Sequence, residues 1–252
     1  MTSQQASQPV ATPEATLPVF YRRPELLSSD RHERKSLTAK LDHRFAQGVN
    51  AVPLNGVELE FAQRHYPIVF TDEATPFPIA VLGLRTSENL FLGASGTWHE
   101  GIYVPAYVRR YPFIFMTGPD QKQFALCVDS ASTFVVDGDS NPFFRDGQPT
   151  ELTKNALAFC ASFQAEHEKT RAFAAALAEH KLFESRSANI DLGNGRKVVF
   201  GPFQAIDRAK LAALPNAVIA EWLRSGWLGW IYAHLMSAAN WAALANRMNA
   251  PA

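Results

Sequence analysis

The chain has 252 residues, 47% of them hydrophobic and 19% charged, with 18 Phe and 5 Trp; this composition excludes a disordered chain and allows one large or two small domains. Lys plus Arg and Asp plus Glu number 24 each, so the formal net charge is zero and no overall field draws in nucleic acid or anionic lipid. The most apolar stretch, 227–244, is interrupted by Tyr232, His234, Ser237 and Asn240, so no membrane span is expected.

Residues 1–20, rich in Gln, Ser, Thr, Pro and Ala, read as a disordered leader ahead of a single folded domain over 21–252. Its start lacks the basic-then-apolar order of a secretory signal, which points to the cytoplasm. Cys127 and Cys160 have no Cys-x-x-Cys or metal-ligand spacing and agree with that setting as buried, reduced thiols. Between Tyr21 and Arg44 lie seven Arg or Lys and four Asp or Glu. Such mixed signs describe a solvated face, and Ser29–Gly48 reads as a short helix or an extended arm.

The phrase Arg64-His65-Tyr66-Pro67-Ile68-Val69-Phe70 returns 45 positions later as Arg109-Arg110-Tyr111-Pro112-Phe113-Ile114-Phe115. At the same offset Pro78–Leu82 lines up with Gln123–Cys127; after one deletion Leu90–Leu92 meets Phe134–Val136, and Trp98 falls opposite Phe143. Self-similarity at a fixed period predicts repeated supersecondary units, here about 55–101 and 102–147. In each, a helical lead-in (Val57–His65, Tyr103–Arg110) is stopped by a proline, which forces the residue before it out of the α region. Strands are predicted at Ile68–Phe70, Pro78–Leu84 and Asn89–Leu92, with Gly93–Gly96 as a turn. The second unit repeats them at Phe113–Met116, Phe124–Val128 and Thr133–Val136. Two such meanders would join in one sheet of about six strands.

After this the period changes. Thr150 and Glu151 form a helix start, and Leu152, Ala156, Phe159, Phe163, Thr170, Phe173 and Leu177 recur at helical steps to about His180. Asn194-Gly195, between Ile190–Leu192 and Lys197–Phe200, predicts a hairpin with a type I′ turn. Pro215 opens a helix to about Arg224, Gly226 ends it, and one last helix is predicted over Trp227–Arg247. Apolar nearly all round, that helix needs cover from its own fold or from a partner. The fold class is therefore α+β. An antiparallel or mixed sheet is built from two similar units, with a long helix, a hairpin and a C-terminal helical segment packed on it.

No known catalytic or cofactor signature is present, and no metal or cofactor is expected. His-Glu-x-x-His, Gly-x-Gly-x-x-Gly, Gly-Lys-Ser/Thr and Gly-x-Ser-x-Gly are all missing. Asp137-Gly-Asp139-Ser-Asn141 opens like a calcium loop but carries Pro142 where glycine is required and Gln148 where glutamate is required. Ser95 reads as a turn residue and His234 as a hydrogen-bonded core histidine. The candidate binding residues are His65, Tyr66, Trp98, Arg109, Arg110 and Tyr111. Guanidinium groups beside aromatic rims suit a carboxylate, a phosphate or the acidic segment of a protein partner. The competing explanation is structural, with the rings filling the core and the prolines fixing helix ends. An enzyme with a dispersed site, for instance His65 or His99 with Asp129 and Arg110, is the alternative.

Several phrases resemble the SapC family of bacterial proteins: Gly48–Leu54, Glu60 with Pro67–Phe70, Tyr103–Phe113, Phe159 with Gln164, His167 and Thr170, Gly201-Pro202-Phe203, Ala205–Arg208 and Ile231–Ser237. The resemblance runs from about residue 18 to 246. It implies an accessory role, since the family is named for a surface-layer locus and similar proteins accompany outer-membrane uptake clusters with TonB-dependent receptors. It brings no catalytic residues with it. The expectation is a soluble accessory or binding protein acting through a protein partner or a small acidic ligand, with a structural role in the surface layer as a further reading.

Overall fold

The computed structural model describes residues 17–117, 124–193 and 195–249. Most of the expected leader and Asn194 of the expected turn lie outside the described residues. Strand β1 (Pro24–Leu26), helix α1 (Ser29–His32) and strand β2 (Lys35–Leu37) lead through a 3-10 turn at Arg44–Ala46 to β3 (Ala51–Pro53). A second 3-10 turn, Gly56–Glu58, runs into α2 (Leu59–Ala62), followed by β4 (Ile68–Phe70) and β5 (Pro78–Val81). The one-turn helix α3 (Ala106–Arg109) precedes β6 (Phe113–Thr117) and β7 (Phe124–Asp129), and then β8 (Val135–Asp137), β9 (Phe144–Arg145) and β10 (Gln148–Pro149). The long helix α4 (Glu151–Glu179), the hairpin β11 (Phe183–Gly193) and β12 (Arg196–Ile206), and helices α5 (Arg208–Ala212), α6 (Asn216–Arg224), α7 (Trp227–Ser237) and α8 (Asn240–Asn249) complete the α+β fold.

The doubled phrase takes a similar local course twice, although the Tyr111–Pro112 peptide is cis and the Tyr66–Pro67 peptide is not. Each copy is a turn of helix, a proline, and a strand whose antiparallel return donates to that proline's carbonyl: Val81 N to Pro67 O and Asp129 N to Pro112 O, both 2.9 Å. Ile68 faces Ala80, and Phe113 faces Val128. The outgoing strands are thus 45 residues apart (113 − 68) and the return strands 48 (128 − 80). The alignment of 78–82 with 123–127 is therefore out by three residues in space.

The two units do not merge into one six-stranded sheet. β4 and β5 lie in the order β11-β12-β4-β5-β3, β6 and β7 in the order β1-β7-β6, and β8 pairs with β2. Asn89–Leu92 makes no strand, only a bridge from Leu92 to Trp98. The reason is who claims each edge. β3 occupies the outer edge of β5 and β1 the outer edge of β7, and both come from upstream of the hairpins they cover. Each supplies the backbone partners that a third meander strand would have supplied.

Helix α4 organises the interior. Its 29 residues extend about 44 Å at 1.5 Å per residue. Its buried face meets three hydrophobic clusters in turn: Cys160 packs with Phe113 and Phe143, Phe163 with the main core of Tyr66 and Val52, and Phe173 and Leu177 with Phe70 and Ile231. The expected helix over Trp227–Arg247 is two helices, α7 and α8. The break frees Asn240, whose Nδ2 donates to the carbonyls of Gln63 and Tyr66 at 2.6 and 2.8 Å; a side chain that satisfies open carbonyls competes with helix continuity. α7 buries Ile231, Ala233, His234 and Ser237 while Tyr232 and Met236 stay exposed. Among the described residues no helix is long and apolar enough to cross a membrane.

His234 is the core histidine expected. Its Nδ1 lies 2.8 Å from Ile68 O and its Nε2 accepts from Ile206 N at 3.2 Å. The carbonyl can only accept, so the proton sits on Nδ1 and the neutral ring joins β4 to β12. Burial pulls its pKa from 6.5 down to about 4. A depressed histidine contributes stability fully above the unfolded value, and loses it as pH falls from 6.5 towards 4. The loss expected from His234 is roughly 3 kcal/mol. Urea denaturation between pH 7 and 4.5 should show this fall, and His234→Gln should flatten it. An unchanged pH slope in the variant would mean that His234 does not titrate as described.

Candidate functional site

A cavity of about 340 Å3 opens where the Gly56–Glu58 turn, α2, α3 and α4 meet. Phe61, Tyr103, Phe159 and Phe163 supply its walls, and Glu166 and the exposed Arg109 also line it. The local sequence dictates this arrangement. Pro105, extended with ψ 142°, sets the entry to α3, and Glu58 receives the first helical N–H, Ala106 N, at 2.7 Å on Oε1. The same oxygen accepts the Tyr103 hydroxyl at 2.9 Å, while Oε2 accepts Asn55 N at 2.8 Å. Burial raises the Glu58 pKa, and its amide and phenol donors work in the opposite direction. Burial and the neighbouring Glu58 push Tyr103 up to about 12, so it remains a phenol and a donor at neutral pH.

Arg109 is exposed and fixed without an acidic side-chain partner among the described residues. Its Nε donates to Val104 O at 3.0 Å and its Nη2 to Tyr103 Oη at 3.3 Å. The guanidinium carbon lies 5.4 Å from the Phe159 ring centre and 5.8 Å from that of Tyr103, whose ring also stacks on Phe61 at 5.7 Å. A cation held beside two rings keeps its charge available to a ligand. Glu166, on the same lining, binds Lys169 Nζ through Oε1 at 2.6 Å, and its Oε2 is buried with no hydrogen-bond partner among the described residues. The lining therefore combines a cationic donor, a carboxylate and aromatic walls.

The candidate residues do not converge. Arg110 follows Arg109 at the end of a helical turn, and successive residues there point about 100° apart. Arg110 turns beneath α4, with its guanidinium carbon 4.3 Å from the Tyr107 ring centre and 4.4 Å from that of Phe163; its Nε is buried with no partner among the described residues. Tyr66 is fully buried: its hydroxyl accepts from Trp98 Nε1 at 2.8 Å and donates to the Tyr103 carbonyl. Tyr111 is half-buried, stacked on Phe45 at 4.2 Å, with its hydroxyl on Asp129 Oδ2 at 3.1 Å. His65 sits edge-on to Tyr66 at 6.1 Å. The dispersed catalytic set is not assembled either. Asp129 is buried and holds the backbone N–H groups of Arg22 and Arg23, and His99 lines a different cavity from Arg110's aromatic cage. The sequence reading missed Glu58, Tyr103, Phe159 and Glu166 as site residues. Glu58, three positions after Asn55 at a helix start, carried the only local signal.

Around a second cavity, of about 550 Å3, four of the phrases behind the resemblance meet, through Ile68, Phe203, Asp207 and His234. His234 is already engaged on both ring nitrogens, which makes this wall structural. A family model described as SapC matches residues 27–244. No curated protein and no solved structure matches the chain.

The two arginines should separate in experiment. Arg110→Lys keeps the charge but loses the plane between two rings, and is expected to cost about 1–2 kcal/mol of stability. Arg109→Ala, at an exposed position, should stay within about 0.5 kcal/mol of the parent. Urea midpoints of the two variants test this; equal losses would refute the division of roles.

Proposed function

The chain belongs to the SapC family, and we propose that it is an accessory binding protein holding a small carboxylic acid in the Arg109 cavity. The observation that supports this reading is the Arg109 guanidinium, fixed over Phe159 and Tyr103 with no acidic side-chain partner among the described residues. A carboxylate accepts two parallel N–H bonds from such a fork. The Glu166 carboxylate on the same lining then favours acids that also carry a donor, a hydroxyl or an ammonium group. A hydroxy or amino acid of a few carbons satisfies both ends, and its body lies against aromatic walls in a volume of ordinary ligand-site size. The proposed setting is the cytoplasm. Cys127 and Cys160 are free and buried, and burial raises both thiols above their ordinary value, Cys160 to about 11.

The chemistry at the cavity favours binding over turnover. Glu58 is occupied by three donors and Tyr103 stays protonated, so neither is free to act as a base. Isothermal titration against small hydroxy acids, amino acids and plain carboxylates tests the proposal. Binding by the first two groups is expected. Arg109→Ala should weaken it roughly 10- to 100-fold, the usual worth of a hydrogen bond to a charged group. Glu166→Gln should weaken donor-bearing acids more than plain ones. Absence of binding at millimolar concentrations, or unchanged affinity in Arg109→Ala, would overturn the reading.

A further inference from the structure

A third cavity, larger than the Arg109 cavity at about 650 Å3, opens between the 89–99 loop, the Arg44 turn and the end of α8. Its chemistry is one-sided. Arg44, Arg247 and His99 line it, together with Gln47 and the backbone of the Gly93–Gly96 turn, and its lining includes no Asp or Glu. Leu90, Leu92 and Met248 form an apolar flank.

Both arginines are held in place before any ligand arrives. Arg247 lies with its guanidinium carbon 4.6 Å from the ring centre of the fully buried Phe91, and makes no ion pair or hydrogen bond among the described residues. Arg44 is pinned by Asp42 through Nη1 at 2.5 Å and by the Ser95 carbonyl through Nη2 at 2.7 Å. Asp42 neutralises part of that charge, which leaves Arg247 as the stronger anchor. Gly96 explains how Arg44 can lie there: its φ is +79°, and a Cβ on it would sit 2.4 Å from Arg44 Cγ and 2.7 Å from Nε. Only a glycine lets the arginine cross the turn so closely.

We propose that this cavity binds the phosphate group of a phosphate monoester, with Arg247 and Arg44 as its anchors and the ester's body against Leu90, Leu92 and Met248. A single carboxylate is saturated by one guanidinium, whereas a dianionic phosphate has the oxygens to engage two forks and an imidazole together. The volume exceeds what inorganic phosphate fills, so a compact organic body belongs to the ligand. The site is independent of the Arg109 cavity and shares no lining residue with it.

Isothermal titration with three probes tests it: inorganic phosphate, glycerol 3-phosphate, and phosphatidylcholine vesicles containing phosphatidate. Glycerol 3-phosphate is expected to bind more tightly than inorganic phosphate, and Arg247→Gln to weaken it at least about tenfold. Arg44→Gln should weaken it less, because Asp42 already shares that charge. Arg109→Ala should leave it unchanged, which separates this site from the acid-binding one. Binding to the vesicles in place of the soluble ester would identify a lipid headgroup as the source of the same phosphate chemistry. Three results would overturn the proposal: no binding to any probe by folded protein, affinity unchanged in the Arg44→Gln/Arg247→Gln double variant, or equal affinity of this cavity for succinate. Circular dichroism of each variant confirms that it is folded before titration.

Discussion

The buried turn from Asn55 to Glu58 is the constraint on which the other elements converge. Glu58 places a carboxyl group in the interior, which is tolerable only when its oxygens are fully engaged. Asn55 N, Ala106 N and the Tyr103 hydroxyl engage them, binding the turn to the entry of α3. Asn55 Nδ2 donates to Phe163 O and Gly56 N to Thr170 Oγ1, which fastens the same turn to two places on α4. On its other side Gly56 abuts Trp230 of α7 so closely that a Cβ would fall 2.3 Å from the indole. Four backbone positions thus set the relative placement of α3, α4 and α7.

From that junction a chain of polar contacts runs through the core. Trp98 donates to Tyr66, Tyr66 to the Tyr103 carbonyl, and Tyr103 in turn donates to Glu58. Tyr66 is buried and Tyr103 half-buried, and desolvation keeps each phenol protonated, so each can donate to the next acceptor. The chain also relates the two cavities. At Tyr103 it forms a wall beside Arg109; at Tyr66 it packs on Phe91, the ring that carries Arg247. Two arginines far apart in sequence are thereby held on one rigid aromatic core. Arginine is suited to both positions because its planar cation keeps its donors while it stacks.

Much of the local structure was legible in advance. The proline-stopped turns at Tyr66 and Tyr111, the strands that follow them, α4 from Glu151 to about His180, and a hairpin around residue 195 all come from short-range rules of proline geometry, periodicity and turn chemistry. The shared local course of the two hairpins was visible in the doubled phrase. Their common sheet was not a consequence of it, because β1 and β3 occupy the edges through which the hairpins would have joined. The site was only partly legible: of the candidates, Arg109 lines the cavity, whereas His65, Tyr66, Trp98, Arg110 and Tyr111 are not among its lining residues. Helical geometry sends adjacent arginines apart, and no sequence pattern says which of two will reach solvent.

The sequence by itself determined the α+β class, the long amphipathic helix, the break points at proline and glycine, and membership of a family through phrases spread along nearly the whole chain. These follow from interactions between residues a few positions apart, which are present in the chain before it folds. Only the tertiary structure decided which strands share an edge, that the last helix divides at Asn240, and that Glu58, Phe159 and Glu166 join Arg109 around one cavity. Those outcomes depend on contacts between residues as far apart as Asn55 and Phe163 or Gln63 and Asn240. Such contacts arise from competition for buried volume and for hydrogen-bond partners, and that competition is resolved only when the whole chain packs.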